Sequence, residues 1–307
     1  MMLRSSLFRT TGCLLFAFLL SLSVQAKELY RHIYDISDAD KLALSMPSDV
    51  VIGKSGNIYI VDGGNHRLLT YSSNGNFIRA IGSKGTGDLQ FNGPVGIGID
   101  SNEQLYVADS GNHRIQIFTS KSEYISSIPI QINKHGLRPI DVAVSKNGKL
   151  YITSNINHSV MVYSRSGKLV HQWGGKGNNP GEFRYPATLD IGPDGNIYVV
   201  DVLNSRVQIF TPTGKLVTNA GSWGVMPGQL FRPKGVTVDQ YENIYISDSY
   251  MNVVEVYNHK KQFLHVIGGL ESNLQLETPT GLTVDKKRRL YISQMLANKV
   301  SVYAPVN

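Results

Sequence analysis

Short stretches of alternating apolar and small or polar residues recur along the chain at a nearly constant interval. Val95–Asp100 and Lys234–Asp239 are two of these stretches, and each directly follows a proline. Successive units are 45 to 47 residues apart, and six of them follow one another. The prolines that open the units are Pro47, Pro94, Pro139, Pro186, Pro233 and Pro279. Self-similarity at a fixed period is the signature of a repeat architecture.

Each unit repeats the same plan of four short strands. The first strand follows the proline, and after a Gly-, Asn- or Asp-rich turn a second strand centres on a tyrosine such as Tyr106 or Tyr198. A third strand ends in an aromatic residue such as Phe118, and another turn introduces the fourth strand, as at Phe77–Ile81. Short runs rich in Val, Ile, Tyr and Phe between such turns predict an antiparallel meander. Four strands in about 45 residues match one blade of a β-propeller.

The last unit supplies only three strands, so its fourth strand has to come from elsewhere. The segment Glu28–Ile36 precedes the first proline and reads as a strand without a partner. We expect it to pair beside Val300–Tyr303 and to close the ring. The predicted fold is all-β: a single six-bladed β-propeller of four-stranded antiparallel blades, closed by an N-terminal strand in the last blade. Residues 27–46 would form the closing strand and a linker, and residues 47–307 the six blades.

The first 26 residues predict a secretory signal peptide. Arg4 and Arg9 give a positive start, Cys13–Leu22 is apolar, and small residues precede a cleavage site after Ala26. The apolar run is shorter than the roughly 20 residues that a membrane span needs. We therefore expect an exported protein of the periplasm or the extracellular space, with no stable membrane insertion after cleavage.

Composition refines this picture only modestly. Hydrophobic residues make up 41% of the chain, which is enough for a core, and charged residues only 17%. Cleavage would remove Arg4, Arg9 and the single cysteine, Cys13, so the formal net charge would fall from +7 to +5 (7 − 2). Without cysteine the exported chain depends on its core for stability. Export also argues against nucleic acid as a partner, and we expect a monomer.

The loops and the segments between units carry a recognisable motif. The loop between the second and third strands reads DGGNHR at Asp62–Arg67 and DSGNHR at Asp109–Arg114, and the connection Trp173–Phe183 reads WGGKGNNPGEF. This pattern resembles the NHL-repeat family of six-bladed propellers over essentially the whole mature chain. The resemblance implies the propeller fold. It also implies a choice of functions, because family members serve as protein- or RNA-binding platforms and a related propeller is a metal-dependent amidating lyase.

Three histidines at equivalent loop positions are candidate metal ligands. His66, His113 and His158 lie in consecutive units, and a zinc site needs convergent imidazoles. The alternative is that Asn-His-Arg is a structural signature, in which the arginine pairs with the aspartate at the end of the second strand. The corresponding residues of the other units are taken to be Ser205, Val253 and Lys299. Because these residue types are so varied, we favour the structural interpretation.

The strands that line the predicted channel carry unusual polar residues. Two residues after the proline, three units have glycine, but the others have Asp49, Asp141 and Thr188. Glycine lets blades pack closely at the axis, so an aspartate in its place calls for a structural or functional explanation. Asp49, Asp141 and Thr188 could bind calcium or zinc together with backbone carbonyls. Alternatively, each side chain accepts hydrogen bonds from neighbouring backbone N–H groups.

One arc of loops is distinctly apolar. The loops of units one and two contain glycine at the positions where units four to six carry large side chains. Aromatic residues, Met and Arg are enriched at the cores of interfaces, so this arc predicts a binding patch. The patch consists of Val202, Leu203, Tyr250, Met251, Met295 and Leu296, rimmed by Arg184, Arg206 and Arg232. The alternative is that several of these residues fold inward and cap the blades.

Two functions of different classes follow. The preferred hypothesis is a non-enzymatic platform that holds a protein or peptide of the cell envelope on this arc. The alternative is a metal-dependent lyase or lactonase-type hydrolase at the channel mouth, with Asp49 and Asp141 as ligands and His66, His113 or Tyr185 nearby. A structural spacer is a third option. The sequence has no Gly-x-Ser-x-Gly, no His-Glu-x-x-His and no phosphate-binding loop motif.

Overall fold

A computed structural model describes residues 29–37, 42–269 and 272–306 of the 307-residue chain. The predicted signal peptide, residues 1–26, lies outside the described residues. The chain forms six four-stranded antiparallel sheets, which are the blades of a single propeller. The prediction of a six-bladed propeller is confirmed. Among the described residues, no helix is long and apolar enough to cross a membrane.

The strands of each blade follow one another along the chain. Blade 1 contains Pro47–Ile52, Ile58–Asp62, Arg67–Tyr71 and Phe77–Ile81, and blade 2 contains Pro94–Ile99, Leu105–Asp109, Arg114–Phe118 and Tyr124–Pro129. Blade 3 contains Pro139–Val144, Leu150–Ser154, Ser159–Tyr163 and Leu169–Gly174, and blade 4 contains Pro186–Ile191, Ile197–Asp201, Arg206–Phe210 and Leu216–Ala220. Blade 5 contains Pro233–Val238, Ile244–Asp248, Val253–Tyr257 and Phe263–Gly268, and blade 6 contains Pro279–Val284, Leu290–Gln294, Lys299–Pro305 and Tyr30–Ile36.

Short elements complete the loops of the described chain. Three 3-10 helices, at Gly63–Asn65, Ser110–Asn112 and Val202–Asn204, lie between the second and third strands of blades 1, 2 and 4. Two-residue strands pair at Ser83–Lys84 with Gln90–Phe91 and at Gln131–Ile132 with His135–Gly136. They stiffen the connections that lead from blade 1 to blade 2 and from blade 2 to blade 3.

The first strand of every blade lies at the propeller axis, where it contacts the first strands of both neighbouring blades. Each of these strands begins at the repeat proline. In every blade the pairing register between the first and second strands shifts within three residues of that proline, as between Pro47 and Asp49. A β-bulge changes the direction in which the neighbouring side chains point. Here the bulge sits where the second residue after the proline meets the next blade.

The N-terminal strand closes the ring as the sequence predicts. Tyr30–Ile36 pairs antiparallel with Lys299–Pro305, and its ends match Tyr30 to Pro305 and Ile36 to Val300. The Tyr30 side chain is buried among residues of blades 5 and 6, and its hydroxyl lies 3.2 Å from the hydroxyl of Tyr245. Blade 6 therefore joins the two ends of the propeller through main-chain hydrogen bonds.

The hydrophobic core lies between the blades. One cluster joins Tyr198 and Ile209 of blade 4 to Val236 and Ile246 of blade 5. Each sheet is thus covered on both faces. This explains why the side chains on both faces of the strands are apolar or small. The tyrosines predicted at the second strands are buried in all six blades: Tyr59, Tyr106, Tyr151, Tyr198, Tyr245 and Tyr291.

The antiparallel order sorts the loops onto two faces. The connections between blades and the loops between second and third strands lie on one side, the connection face. The turns after the first and third strands lie on the opposite side, the turn face. Hydrogen bonds within the connection face agree with this arrangement, since Leu203 of a loop donates to the carbonyl of Arg184 in a connection.

Candidate functional site

The carboxylate of Asp49 is a structural link between blades at the axis. Its Oδ1 accepts the N–H of Val50, and its Oδ2 accepts the N–H of Ile97 in blade 2, both at 2.9 Å. On the other side, a Cβ placed on Gly281 of blade 6 would collide with this carboxylate. Asp49 therefore contacts three successive blades, and the glycine of blade 6 makes room for it.

Asp141 makes the same link two blades further on. Its Oδ1 accepts the N–H of Val142 at 2.7 Å, and its Oδ2 accepts the N–H of Leu189 in blade 4 at 2.9 Å. Gly96 of blade 2 leaves the space that the Asp141 side chain fills. The equivalent Thr188 hydroxyl accepts the N–H of Val236 in blade 5, also across a blade boundary.

A third carboxylate in the channel was not singled out in the sequence. Asp190 lies four residues after its proline, and its Oδ2 accepts the Val238 N–H and the Thr237 hydroxyl of blade 5. The signal was available, because none of the residues at that place in the other blades is acidic: Val51, Gly98, Ala143, Thr237 and Thr283. Asp49, Asp141 and Asp190 line one axial cavity of about 250 Å³.

Burial makes these three groups unusually weak acids. Desolvation, and then the charge of Asp141, hold the pKa of Asp49 well above its ordinary value. Desolvation also raises the pKa of Asp141 to about 7 and that of Asp190 to about 6, although backbone N–H groups oppose both shifts. The channel thus holds carboxyl groups that exchange protons near neutral pH.

The predicted calcium or zinc site at Asp49, Asp141 and Thr188 remains a prediction. Both oxygens of each aspartate already accept a backbone N–H, as the alternative interpretation expected. Within residues 29–37, 42–269 and 272–306, no three or more His, Cys, Asp or Glu side chains form a group that could hold a metal ion.

In blades 1, 2 and 4 an ion pair below the connection face holds the connection to its blade. In blade 4 the buried Asp201 accepts the Arg184 N–H through Oδ1 and binds Asn204 and Arg206 through Oδ2. The Arg206 guanidinium also donates to the carbonyls of Asn179 and Glu182 in the connection. The same arrangement joins Asp109 to Arg114 in blade 2 and Asp62 to Arg67 in blade 1. We call this arrangement the arginine staple.

Two of the three loop histidines accept hydrogen bonds from the next blade through their side chains. The Nδ1 of His66 accepts the N–H of Gly93, and the Nδ1 of His158 accepts that of Tyr185, in both cases just before the next proline. His66 and His158 adopt left-handed backbone conformations, with φ of 55° and 53°. His66 and His158 therefore hold the entry to the following blade, in keeping with the structural interpretation. The buried Nδ1 of His113 has no hydrogen-bond partner among the described residues.

The sequence analysis assigned the wrong residue to this loop position in blades 5 and 6. The residues that share the left-handed conformation are Asn252 and Asn298, not Val253 and Lys299. The Asn252 side chain accepts the Thr278 N–H, and the Asn298 side chain accepts the Met46 N–H. Asparagine tolerates this conformation better than most residues do, so the position is more restricted than the sequence comparison indicated.

The predicted apolar arc is partly buried. Val202 is only 5% exposed and belongs to the core between blades 4 and 5, against which Leu203 also packs. Val202 therefore cannot contribute to a binding surface, because it faces inward from its 3-10 helix. Met251 and Met295 are partly buried, whereas Tyr250 and Leu296 are 66% and 62% exposed.

Other exposed apolar residues extend the surface beyond the predicted arc. Ile156 occupies in blade 3 the loop position of Tyr250, and Tyr185 precedes the blade 4 proline. The connection from blade 4 to blade 5 exposes Trp223, Val225 and Met226. We define the apolar face by its exposed members: Ile156, Tyr185, Trp223, Val225, Met226, Tyr250 and Leu296.

The three predicted rim arginines differ in their availability. Arg206 is held by the staple and its side chain is 13% exposed, so it has little freedom to steer a partner. Arg232 lies over the Phe231 ring, 4.7 Å from the centroid, and Tyr250 packs against that ring at 4.5 Å. Only Arg184 is broadly exposed.

Comparison with family models defines the class of protein. The NHL repeat model matches residues 44–71 and 91–118, which cover most of blade 1 and most of blade 2. A model described as a 6-bladed beta-propeller matches residues 192–301. The chain is therefore a six-bladed β-propeller that contains NHL repeats in its first two blades. A search of curated proteins found no significant match.

Solved structures with the same fold have diverse activities. One is a gluconolactonase from Xanthomonas campestris, with 16% identity, a TM-score of 0.66, and coverage of 92% of this chain and 96% of that chain. Another is an inactive variant of virginiamycin B lyase from Staphylococcus aureus with quinupristin, with 15% identity, a TM-score of 0.62, and coverage of 85% and 80%. Hydrazine synthase from Kuenenia stuttgartiensis shows 12% identity, a TM-score of 0.60, and coverage of 84% and 95%. At these identities the likeness shows the fold alone.

We expect Arg206→Ala to lower the free energy of unfolding by about 3 kcal/mol, the scale for breaking a buried ion pair. The substitution leaves Asp201 without its cation and two connection carbonyls without their donor. Chemical denaturation would measure the change. Lys215→Ala, at an exposed turn, is the control and should change stability by less than about 0.5 kcal/mol. Equal stability of the two variants would contradict a staple role for Arg206.

The channel carboxyls predict a stability that falls as the pH rises. Because the folded-state pKa values of Asp141 (about 7) and Asp190 (about 6) lie above their unfolded values, the native state binds more protons between pH 4 and 7. Their stabilising contribution is complete below pH 4 and is lost as the pH rises through 6 to 7. Denaturation of wild type and Asp190→Asn at pH 5, 6, 7 and 8 would measure it. A variant whose stability changes with pH as steeply as that of wild type would refute this assignment.

Proposed function

We propose that this chain is a binding platform whose apolar face holds a protein or peptide. The observation that carries the proposal is the exposure of large apolar side chains at one loop position in blades 3, 5 and 6. Ile156, Tyr250 and Leu296 occupy this position in blades 3, 5 and 6, and Leu203 occupies it in blade 4, whereas blades 1 and 2 have Gly64 and Gly111. Extended apolar surfaces on soluble proteins mark interaction sites.

The loops that present these residues are well ordered by hydrogen bonds, which favours binding without a large ordering cost. The Asp248 carboxylate accepts the N–H groups of Tyr250 and Met251, and the Tyr250 ring rests on Phe231. Arg232 covers the same ring. A rigid Tyr and Arg beside exposed Met and Trp side chains is the composition enriched at interface cores.

Charge around the apolar face supports an acidic partner. Arg184 and Arg138 are exposed and belong to the connections beside it. Because Arg206 is occupied by Asp201, we assign the steering of the partner to Arg184 and Arg138 instead. If the predicted signal peptide directs export, the protein meets its partner in the cell envelope.

Tyr250→Ala combined with Leu296→Asp should weaken peptide binding at least tenfold, because it removes two exposed anchors and adds a charge. Peptides selected from a displayed random library on the wild-type protein would supply the ligand, and biolayer interferometry the affinity. Tyr241→Ala is the matched control, since Tyr241 is 62% exposed but lies on the turn face. Equal losses for the two variants, or retained affinity in the double variant with unchanged melting temperature, would refute the proposal.

A second candidate is an enzyme in the channel, favoured by one observation. Three carboxyl groups of raised pKa line the axial cavity, and a carboxyl that is protonated near pH 7 can act as a general acid. The gluconolactonase and virginiamycin B lyase of the same fold motivate the two substrates to test. A metal-dependent reaction would need calcium or zinc at Asp49, Asp141 and Thr188.

Assays with gluconolactone and with a streptogramin B, each with and without calcium or zinc, separate the two candidates. The platform proposal expects both substrates to react at the rate in buffer alone. Turnover that disappears in Asp141→Asn but persists in Tyr241→Ala would favour the enzyme and place its chemistry in the channel.

A further inference from the structure

Blade 5 lacks the arginine that holds the connection in blades 2 and 4. Five residues after the aspartate that ends the second strand, those blades carry Arg114 and Arg206, but blade 5 carries Val253. Two residues further on, the glutamine of blades 2 and 4 becomes Glu255. Relative to its sister blades, blade 5 has therefore lost one positive charge and gained one negative charge in the same buried place.

The connection above this place keeps the same backbone arrangement in blades 4 and 5. Glu182 donates to the carbonyl of Asn179 in the connection that enters blade 4, and Gln229 donates to that of Met226 in the connection that enters blade 5. The Gly181 N–H binds the side chain of Gln208, just as the Gly228 N–H binds Oε2 of Glu255.

The carbonyls that Arg206 contacts thus have counterparts in blade 5. Arg206 donates to the carbonyls of Asn179 and Glu182, so the counterparts are those of Met226 and Gln229. Residue 253 is valine, and no guanidinium of the described residues donates to these two carbonyls.

The two acidic side chains beneath this connection, Asp248 and Glu255, differ in the hydrogen bonds that they accept. Asp248 accepts four backbone N–H groups, those of Phe231, Arg232, Tyr250 and Met251, and is fully satisfied. Glu255 is 0% exposed, and its Oε1 has no hydrogen-bond partner among the described residues. Desolvation, and then the charge of Asp248, raise the pKa of Glu255 to about 7.

The hydroxyl of Tyr257 is a second buried polar group without a partner in the described part of the chain. Tyr257 lies two residues after Glu255, on the same side of the third strand. The equivalent residues of blades 2 and 4 are Phe118 and Phe210, which have no such oxygen.

We propose that a calcium ion binds in blade 5 where an arginine guanidinium lies in blades 2 and 4. Its ligands would be the Glu255 carboxylate and the carbonyl oxygens of Met226 and Gln229, with water completing the shell and the Tyr257 hydroxyl bonded to that water. Calcium fits because it combines carboxylate, carbonyl and water oxygens in flexible geometry. A bound cation also removes the cost of an unpaired buried carboxylate.

This proposal concerns how the connection Trp223–Leu230 is held, and it does not depend on the binding function proposed above. The ion would replace the arginine staple beneath the connection that exposes Trp223, Val225 and Met226. It is also distinct from the predicted metal site in the channel, which involves other blades and other residues.

Isothermal titration of chelator-treated protein with calcium chloride at pH 8, where Glu255 is ionised, tests the proposal. We expect one ion per chain and a melting temperature that rises by several degrees with calcium. Because a carboxylate has to be deprotonated to bind the ion, binding at pH 6 should be weaker than at pH 8. Glu255→Gln restores the glutamine of blades 2 and 4 and should abolish both effects.

Asp141→Asn tests the channel carboxylates as the alternative calcium site. No heat and no thermal shift in wild type would overturn the proposal, and so would equal binding by Glu255→Gln. Binding lost in Asp141→Asn and retained in Glu255→Gln would assign the ion to the channel instead. A response to potassium or sodium but not to calcium would refute the assignment of the ion.

Discussion

Six sheets converge on one axis, and the space at that axis constrains everything around it. The second residue after each proline meets the neighbouring blade, so it is either a glycine or a side chain that bonds across the boundary. Asp49 and Asp141 each fill the space beside a glycine of the preceding blade and accept an N–H from the following blade. The raised pKa values follow from the same arrangement, because a carboxylate that joins blades at the axis is removed from water.

A second set of buried aspartates organises the connection face. Asp62, Asp109 and Asp201 hold their connections through main-chain N–H groups and through arginine, so the loops are built on charged groups that are themselves hidden. Blade 5 keeps the aspartate but satisfies it with four backbone N–H groups. The loop of blade 5 has no 3-10 helix, and it presents Tyr250 in a different setting from that of Leu203 in blade 4.

The repeat period made the fold predictable, but it did not reveal the direction in which the loop side chains point. The prolines, the buried tyrosines and the closing strand all follow from periodicity, because each repeat has to cover the same two faces. Val202 was expected at the surface, yet its 3-10 helix turns it into the core, which depends on a backbone conformation that residue type alone does not reveal. Asn252 and Asn298 could have been aligned with His66 from the sequence, because all three lie 19 residues after the proline of their unit. Glu255 and Asp190 could have been found by comparing every position across the six units, but their lack of solvent becomes evident only once the blades are stacked.

The most informative positions are those where some blades depart from the others without a benefit to the fold. Exposed Tyr250 and Leu296 add little to the core, and the glycines at the same position in blades 1 and 2 show that the loop forms without them. A buried Glu255 with an unpartnered oxygen costs stability that the glutamine of blades 2 and 4 does not. Both departures are unfavourable for the isolated chain, since one exposes apolar area to water and the other buries charge. Each would become favourable on the binding that we propose: a protein or peptide on the apolar face, and a cation beneath the connection to blade 5.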